Sequence, residues 1–326
     1  LDRRVVTFGD KLCHNMEGDK LQSTLPHYAY LRIADGCSNK CSYCAIPLIR
    51  GKMRSRKMEN IIEEAKKFAE NGVKELVIVA QDVTAYGIDL YKKYALPDLL
   101  KELCKIDGIK WIRLLYCYPE RMTDELIETI KTEDKVLNYI DIPIQHCNKE
   151  ILRNMYRGGD EQSLRELFAK LRREIPGVVL RTTLITGFPG ETEEQFSELA
   201  EFVNDIKFER LGCFAYSAEE DTPAAEMPDQ VDEGERQRRA DIITSEQEIR
   251  MGEYYAGMVG NTYEVVCEGF DRYSDMYFGR SMHFAPEIDG MIYFTSAKDK
   301  SSLTIGDFVN VKITDVLENN LLGERV

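Results

Sequence analysis

The 326-residue sequence contains no run of about 18 apolar residues, so it holds no segment that reads as a membrane-spanning helix. It has no secretion signal either, because the N-terminus, LDRRVVTFGD, lacks an apolar stretch. It begins with Leu rather than Met and reads as a fragment or a processed chain. No internal repeat or low-complexity tract interrupts it. An excess of positive charge is also missing: 43 Lys and Arg face 57 Asp and Glu, a net charge of −14. That balance argues against a dominant phosphate-binding surface, which needs clustered Lys and Arg. It suits a solvated acidic surface and leaves room for a basic protein partner. Cysteine is present, but nine residues is an odd number, and three of the nine fall within eight positions. With no secretion signal, such a group points to metal binding in the cytoplasm rather than to a disulfide framework.

From residue 28 to about 217 the pattern alternates between strand-like and helix-like segments. Strands are expected at 28–34, 75–80 (ELVIVA), 111–116, 139–144, 178–186 and 210–216. Helices are expected at 58–71, stopped by Gly72, and at 96–106, 161–174 and 191–206, with Thr123 as a further N-cap. Six βα units imply a parallel sheet, either open or curved into a partial barrel, and fall short of a closed eight-unit barrel. Residues 218–231 read as a loop and 232–255 as a charged helix. Beyond Gly257, short β-type runs at 262–267, 277–280, 291–294 and 308–313 describe a small all-β barrel of OB-like type. The expected division is 1–26 as a linker remnant, 27–231 as an α/β core, 232–256 as a connecting helix and 257–326 as the barrel domain.

Cys37, Cys41 and Cys44 directly follow the first strand, after Gly36, so three thiolates sit on one tight loop. Three thiolates do not complete a tetrahedral structural zinc site. On a [4Fe–4S] cluster they leave one iron open, able to chelate the amino and carboxyl groups of S-adenosylmethionine (SAM). An electron from the cluster can then release a 5′-deoxyadenosyl radical, with the protein supplying positioning and redox tuning. The competing readings are a zinc site completed by His27, His146 or a distant Cys, and three unrelated buried thiols.

The spacing resembles the cysteine loop of the radical SAM superfamily, and the position at the C-terminal end of a first strand fits it. The resemblance implies that Tyr43, the aromatic before the third cysteine, lies against adenine. It implies that Gln81 and Asp82, after the second strand, meet the SAM amino group; helix capping is the competing role. Gln145 and His146, after the fourth strand in IDIPIQH, fall where cofactor or substrate contacts lie, although His146 reads more readily as a structural residue. Arg181 and the loop from Gly187 to Glu191 occupy the adenine side, where glycine lets backbone approach a ligand. Arg157 is either a partner for a carboxylate or a solvated helix-end residue. Cys13, Cys104, Cys117, Cys147, Cys213 and Cys267 lack ligand spacing and read as incidental thiols, with Cys147 nearest the expected mouth.

Longer stretches sharpen the resemblance to the methylthiotransferases: CAIPLIRG (44–51) followed by RSR (54–56), AQDVTAYGIDLY (80–91), RTTLITGFPGET (181–192) and TPAAEMPDQV (222–231). The terminal barrel resembles their TRAM domain. One branch of that family modifies adenosine in tRNA, the other an aspartate of ribosomal protein uS12. AQD followed by YGIDLY, together with YCYPE (116–120) and APEIDG (285–290), resembles the second branch. Residues 257–326 carry eleven acidic and six basic residues, a net of −5, which suits a basic ribosomal protein better than tRNA. The short basic run RGKMRSRK (50–57) is the main feature favouring RNA. A non-catalytic zinc-bearing RNA- or ribosome-binding module is the alternative from another class.

The resemblance implies uS12, free or on the small ribosomal subunit, as substrate, and an electron donor as partner. It implies radical removal of hydrogen from the aspartate β-carbon, then methylthio transfer to that carbon. It also implies a second [4Fe–4S] cluster in full-length members, on an N-terminal domain with three cysteines. Nothing before Cys37 resembles that domain, so the chain reads as the radical SAM and TRAM portion, expected to bind and cleave SAM.

Overall fold

The apolar runs become strands in the expected order, and the turn residues between them set where each one stops. The computed structural model describes residues 16–18, 22–296 and 302–326; Cys13 and most of residues 1–26 lie outside them. The strands are β1 (Tyr28–Arg32), two short ones, β2 (Ala34–Asp35) and β3 (Arg54–Ser55), then β4 (Glu75–Val79), β5 (Trp111–Leu114), β6 (Val136–Asp141), β7 (Val179–Thr186) and β8 (Arg210–Ala215). A six-stranded sheet in the order β1-β4-β5-β6-β7-β8 is parallel throughout, with helices in the crossovers. This is the partial (β/α)6 barrel. Strand β6 starts and ends three residues before the expected span. Pro143 offers no N–H to a ladder, whereas Val136 and Leu137 are buried and belong to it.

The helices follow from period and caps. In Met58–Glu70 the buried residues are Ile61, Ala65 and Phe68, one stripe at i, i+4 and i+7, and Gly72 follows at φ +92°. Helix Glu161–Glu174 carries an Asp160/Ser163 capping box and Glu193–Ile206 a Thr192/Gln195 one. Thr123 caps Asp124–Thr132 as expected. The long helix Glu233–Met258 buries Arg239, Ala240, Ile243, Gln247 and Tyr255 and packs along the edge strand β8.

The barrel domain comprises β9 (Thr262–Asp271), β10 (Met276–Ser281), β11 (Ile292–Thr295), β12 (Phe308–Leu317) and β13 (Asn320–Arg325), closed in the order β10-β11-β13-β12-β9. Strand β13 is absent from the sequence reading. Its only buried residues are Leu321 and Gly323, and a Cβ at Gly323 would drive into Lys312 backbone and the Val311 side chain. Its close approach to β12 thus requires a residue that weakens the strand signal.

Alternation along the parallel strands places two cores on the two faces of the sheet. Leu31, Leu76, Ile78, Ile112, Leu114, Ile140 and Leu180 face the helices. Tyr28, Val77, Trp111, Leu137, Tyr139 and Val179 face the inside of the curve, and there they meet Val266 and Ala285 of the barrel domain. The barrel domain therefore closes one end of the partial barrel. The segment after β10 enters it: the Glu287 carboxylate accepts from Tyr28 Oη at 2.7 Å, and Asp289 Oδ2 accepts from Tyr139 Oη at 2.8 Å.

Buried ions join the same seam. Arg280 donates to Glu75 and to Glu268, both at 2.7 Å, Arg113 donates to Glu75 at 2.7 Å, and His27 Nε2 lies 2.9 Å from Glu268. Burial pushes the Glu75 carboxyl up, but Arg280 and Arg113 outweigh it and hold it at about 2. Burial likewise opposes ionisation of Glu268, and His27 and Arg280 hold it below the usual range. A depressed carboxylate contributes stability above its unfolded value of about 4.3 and loses that contribution as pH falls through the folded value. The melting temperature should therefore stay level from pH 7 to about 5 and fall towards pH 2. The fall should be shallower in Glu75→Gln, followed by circular dichroism across that range.

Candidate active site

A cavity of about 480 Å³ opens at the C-terminal end of the strands, opposite the barrel domain. Cys37, Cys41 and Cys44 line it, together with Tyr43, Gln81 and Gln145. The cysteine loop is short because it is pinned at several points. Gly36 adopts φ +73°, and a Cβ there would collide with the carbonyl oxygens of Gly51 and Lys52. The Cys37 N–H donates to Gly51 O at 3.1 Å, Ser42 N–H to Met155 O at 3.0 Å and Ser42 Oγ to Asn154 O at 2.7 Å. Asp82 is the central clamp. It is buried, accepts from Asn39 of the loop at 2.9 Å, from Thr84 Oγ1 at 2.5 Å and from the Ala85 N–H at 3.2 Å, and pairs with Arg121. Arg121 closes the triangle by donating to Asn39 Oδ1 at 2.8 Å. Asp82 is thus turned to the loop and the next turn, and only its neighbour Gln81 lines the cavity. Asp82→Ala should cost about 2–3 kcal/mol, the worth of hydrogen bonds to a buried charge. It should also lower the iron retained after reconstitution; urea titration and iron assay measure the two effects.

Burial pushes the Cys37 thiol up to about 11, with Asp82 and the neighbouring thiols adding to the shift, and burial raises Cys44 as well. The raised values favour the protonated thiol at Cys37 and Cys44, and a bound cationic centre reverses this because a coordinating thiol is deprotonated outright. Among the described residues no three His, Cys, Asp or Glu side chains close tightly enough around one ion. The three cysteines border one cavity, and an all-thiolate donor set suits iron–sulfur chemistry.

The opposite wall comes from strand ends. Tyr116 and Gln145, just beyond β5 and β6, hold positive φ of 63° and 70° although neither is glycine. Such conformations persist where surrounding structure over-determines them and cluster at functional sites. Gln145 is held by its N–H to Thr183 O at 2.9 Å and by Ile185 N–H to its own carbonyl at 2.9 Å. Arg157 is not a solvated helix-end residue: it is buried, donates to Pro143 O at 2.9 Å and lies 4.1 Å over the Tyr118 ring. It lines the cavity beside the cysteines.

Other sequence-selected residues sit away from this wall. Arg181 pairs with Asp141 at 3.7 Å and lies deeper inside the curve. Gly187 does permit a close approach, at φ +68°, but the atoms it admits are those of Arg236 in the long helix. His146 is fully buried, accepts the Asn148 N–H at 2.9 Å and faces Glu191 at 3.5 Å. Cys147 is buried in the main core and is not at the mouth. Cys117, read as incidental, does line the cavity, and Glu191, read as a helix start, is a buried anchor. Its carboxylate takes the Gly187 N–H at 3.0 Å and Arg239 at 2.8 Å. Burial raises Glu191, but His146, Gly187 and Arg239 outweigh it and hold it low. The Glu in GFPGE, one residue before a Thr cap, was the available signal.

Comparison with known proteins agrees with this geometry. Residues 31–203 match the Radical SAM superfamily and 259–326 the TRAM domain. A ribosomal protein uS12 methylthiotransferase RimO from Clostridium botulinum is 50% identical over 307 residues, covering 94% of this chain and 68% of that protein. The RimO of Caldanaerobacter subterraneus subsp. tengcongensis is 49% identical over 323 residues, covering 99% of this chain and 73% of that protein. The chain belongs to the RimO family of radical SAM enzymes. The fold is shared more widely. The radical SAM enzyme coproporphyrinogen III oxidase (HemN) of Escherichia coli aligns with a TM-score of 0.53 at 18% identity, covering 71% of this chain and 54% of that one. As in that superfamily, the cofactors of a RimO-family chain are a [4Fe–4S] cluster and SAM.

Proposed function

We propose that this protein is a transferase that adds a methylthio group to the β-carbon of an aspartate in ribosomal protein uS12. The observation that carries the reading is the loop after β1, which presents Cys37, Cys41 and Cys44 together to a cavity walled by the ends of neighbouring strands. Relatives 47–50% identical that bear the uS12 methylthiotransferase name support the substrate. The three cysteines are assigned as ligands of a [4Fe–4S] cluster with one open iron. Bound there with SAM, that cluster supplies the electron for radical chemistry at an unactivated C–H bond, which acid–base groups do not open.

The chain's own groups position and exclude. Tyr43, Gln81 and Gln145 are assigned to SAM, since each lines the cavity beside the cysteines. Asp82 holds the loop, Arg181 acts through Asp141, and Gly187 through the packing of the long helix. The methylthio group is assigned to a second [4Fe–4S] cluster of the full-length enzyme. Residues 27–231 are the radical SAM core, 232–256 the connection and 257–326 the TRAM domain, whose acidic balance fits a basic ribosomal partner rather than tRNA. Among the described residues no helix is long and apolar enough to cross a membrane. Action on a ribosomal protein assigns the enzyme to the cytoplasm, with an electron donor as second partner.

The test is anaerobic reconstitution with iron and sulfide, then an assay of 5′-deoxyadenosine from SAM under a reductant, with and without a uS12 peptide containing the target aspartate. Formation stimulated by the peptide is expected. A four-iron protein stimulated by tRNA and indifferent to uS12 would overturn the substrate, and a folded protein that takes up zinc but no iron would overturn the chemistry.

A further inference from the structure

Strand β1 turns Tyr28, Tyr30 and Arg32 to the inside of the curve. Glu287 accepts from both tyrosines, and Arg32, one step further along, reaches the wall of the cysteine cavity. Strands β5, β7 and β8 turn Arg113, Arg181 and Arg210 to the same face, and each of these pairs with a carboxylate, of Glu75, Asp141 and Asp289 respectively. Arg32 differs. Its backbone carbonyl takes Arg56 Nη1 at 2.8 Å, but among the described residues its guanidinium has no hydrogen bond and no ion pair. It is half-buried, so part of its hydration is lost with no partner to replace it. The cavity wall holds two arginines, Arg32 and Arg157, and among the described residues no Asp or Glu lines it, although acidic residues outnumber basic ones by 57 to 43 in the chain. Such a wall favours anions.

On the function proposed above, on which this inference rests, three anions come to this cavity. The thiolate-bound cluster is one, and Arg157 stands on its side: Ser42 of the cysteine loop bonds to Asn154 and Met155, just before Arg157 in the chain. The SAM carboxylate is the second, and chelation to the open iron occupies it. The carboxylate of the target aspartate is the third, and no group assigned so far meets it. We propose that Arg32 binds the carboxylate of the substrate aspartate. Its guanidinium is a planar fork that matches two carboxylate oxygens. The β-carbon is bonded directly to that carboxylate, so holding both oxygens leaves the reacting carbon one bond from a fixed point. An amide in the same place offers one acceptor oxygen and turns an NH2 group against the donors. Arg32 therefore also separates aspartate from asparagine.

The test is equilibrium binding of a fluorescent uS12 peptide to the reconstituted protein, with SAM present and no reductant, followed by anisotropy. The peptide is used with its target aspartate and with asparagine in that place. The unsubstituted protein should bind the aspartate form about tenfold more tightly, the worth of one charged hydrogen bond. In Arg32→Gln that gap should close, because the aspartate form weakens and the asparagine form does not. Arg32→Lys keeps the charge without the fork and should restore part of the gap. A gap that persists in Arg32→Gln would overturn the proposal, and a loss of SAM affinity with the gap intact would assign Arg32 to the cofactor instead. Unsubstituted protein that binds both peptides alike would overturn the role of Arg32 and leave uS12 as substrate. Binding of neither peptide would overturn the substrate as well.

Discussion

Replacing any one of Cys37, Cys41 and Cys44 by alanine should give a folded, colourless protein that forms no 5′-deoxyadenosine from SAM. The fold should survive because the loop is not held by its sulfurs. Gly36, the Asn39–Asp82–Arg121 triangle and the Ser42 contacts fix its backbone. The three thiols are only partly buried, so trimming one leaves a small defect. The cluster should not survive, because losing one of three ligands leaves two irons without a protein donor. Iron content and visible absorbance after anaerobic reconstitution report the cluster, and the assay of 5′-deoxyadenosine reports the chemistry. Cys117→Ala is the control from the same cavity: iron uptake should remain at the level of the unsubstituted protein. A Cys41→Ala protein that keeps four irons and cleaves SAM would refute the assigned ligand set.

Arg280→Met should destabilise the protein by about 3–5 kcal/mol, the cost of removing one partner from a buried ion network. Arg280 stands between Glu75 and Glu268, and its Nη1 also donates to Phe284 O at 2.9 Å. Methionine fills much of the volume but leaves Glu268 with His27 alone and Glu75 with Arg113 alone. Domains retain only about 5–15 kcal/mol in total, so the loss takes a large share of it. Guanidinium titration followed by tryptophan fluorescence measures it, since Trp111 lies in the same seam against Phe308 at 4.8 Å. A similar change in the exposed Lys93–Asp98 pair should leave the midpoint where it was. An unchanged midpoint in Arg280→Met would mean that the seam opens before the core unfolds.

Much of this was legible in the sequence because it is written locally. A run such as ELVIVA has only one economical use in an α/β protein, and Cys37, Cys41 and Cys44 lie within a span that any fold must keep together. The caps at Thr123 and Gly72 are likewise short-range. The parts that escaped depend on distant residues. Glu287 meets Tyr28 across 259 positions, and no local pattern announces it. Arg157 looks like a helix-end cation until Tyr118 and Pro143 cover it. Gly187 reads from the sequence as a point of close approach to a ligand, and only the fold reveals that Arg236 is what approaches. The shifted bounds of β6 show a plainer error of weighting: Pro143 was visible, and its missing N–H should have ended the strand sooner.

The seam between the two domains has a consequence for how a protein substrate is measured. A hinge there would have to expose Glu75, Glu268, Arg113 and Arg280 to water together, along with the tyrosines gripped by Glu287 and Asp289. The two bodies therefore behave as the fixed jaws of a calliper. Whatever the small barrel grips on its outer face is held at one set distance from the mouth of the cysteine cavity. A substrate gripped there would reach the cavity only through a segment that spans that fixed distance.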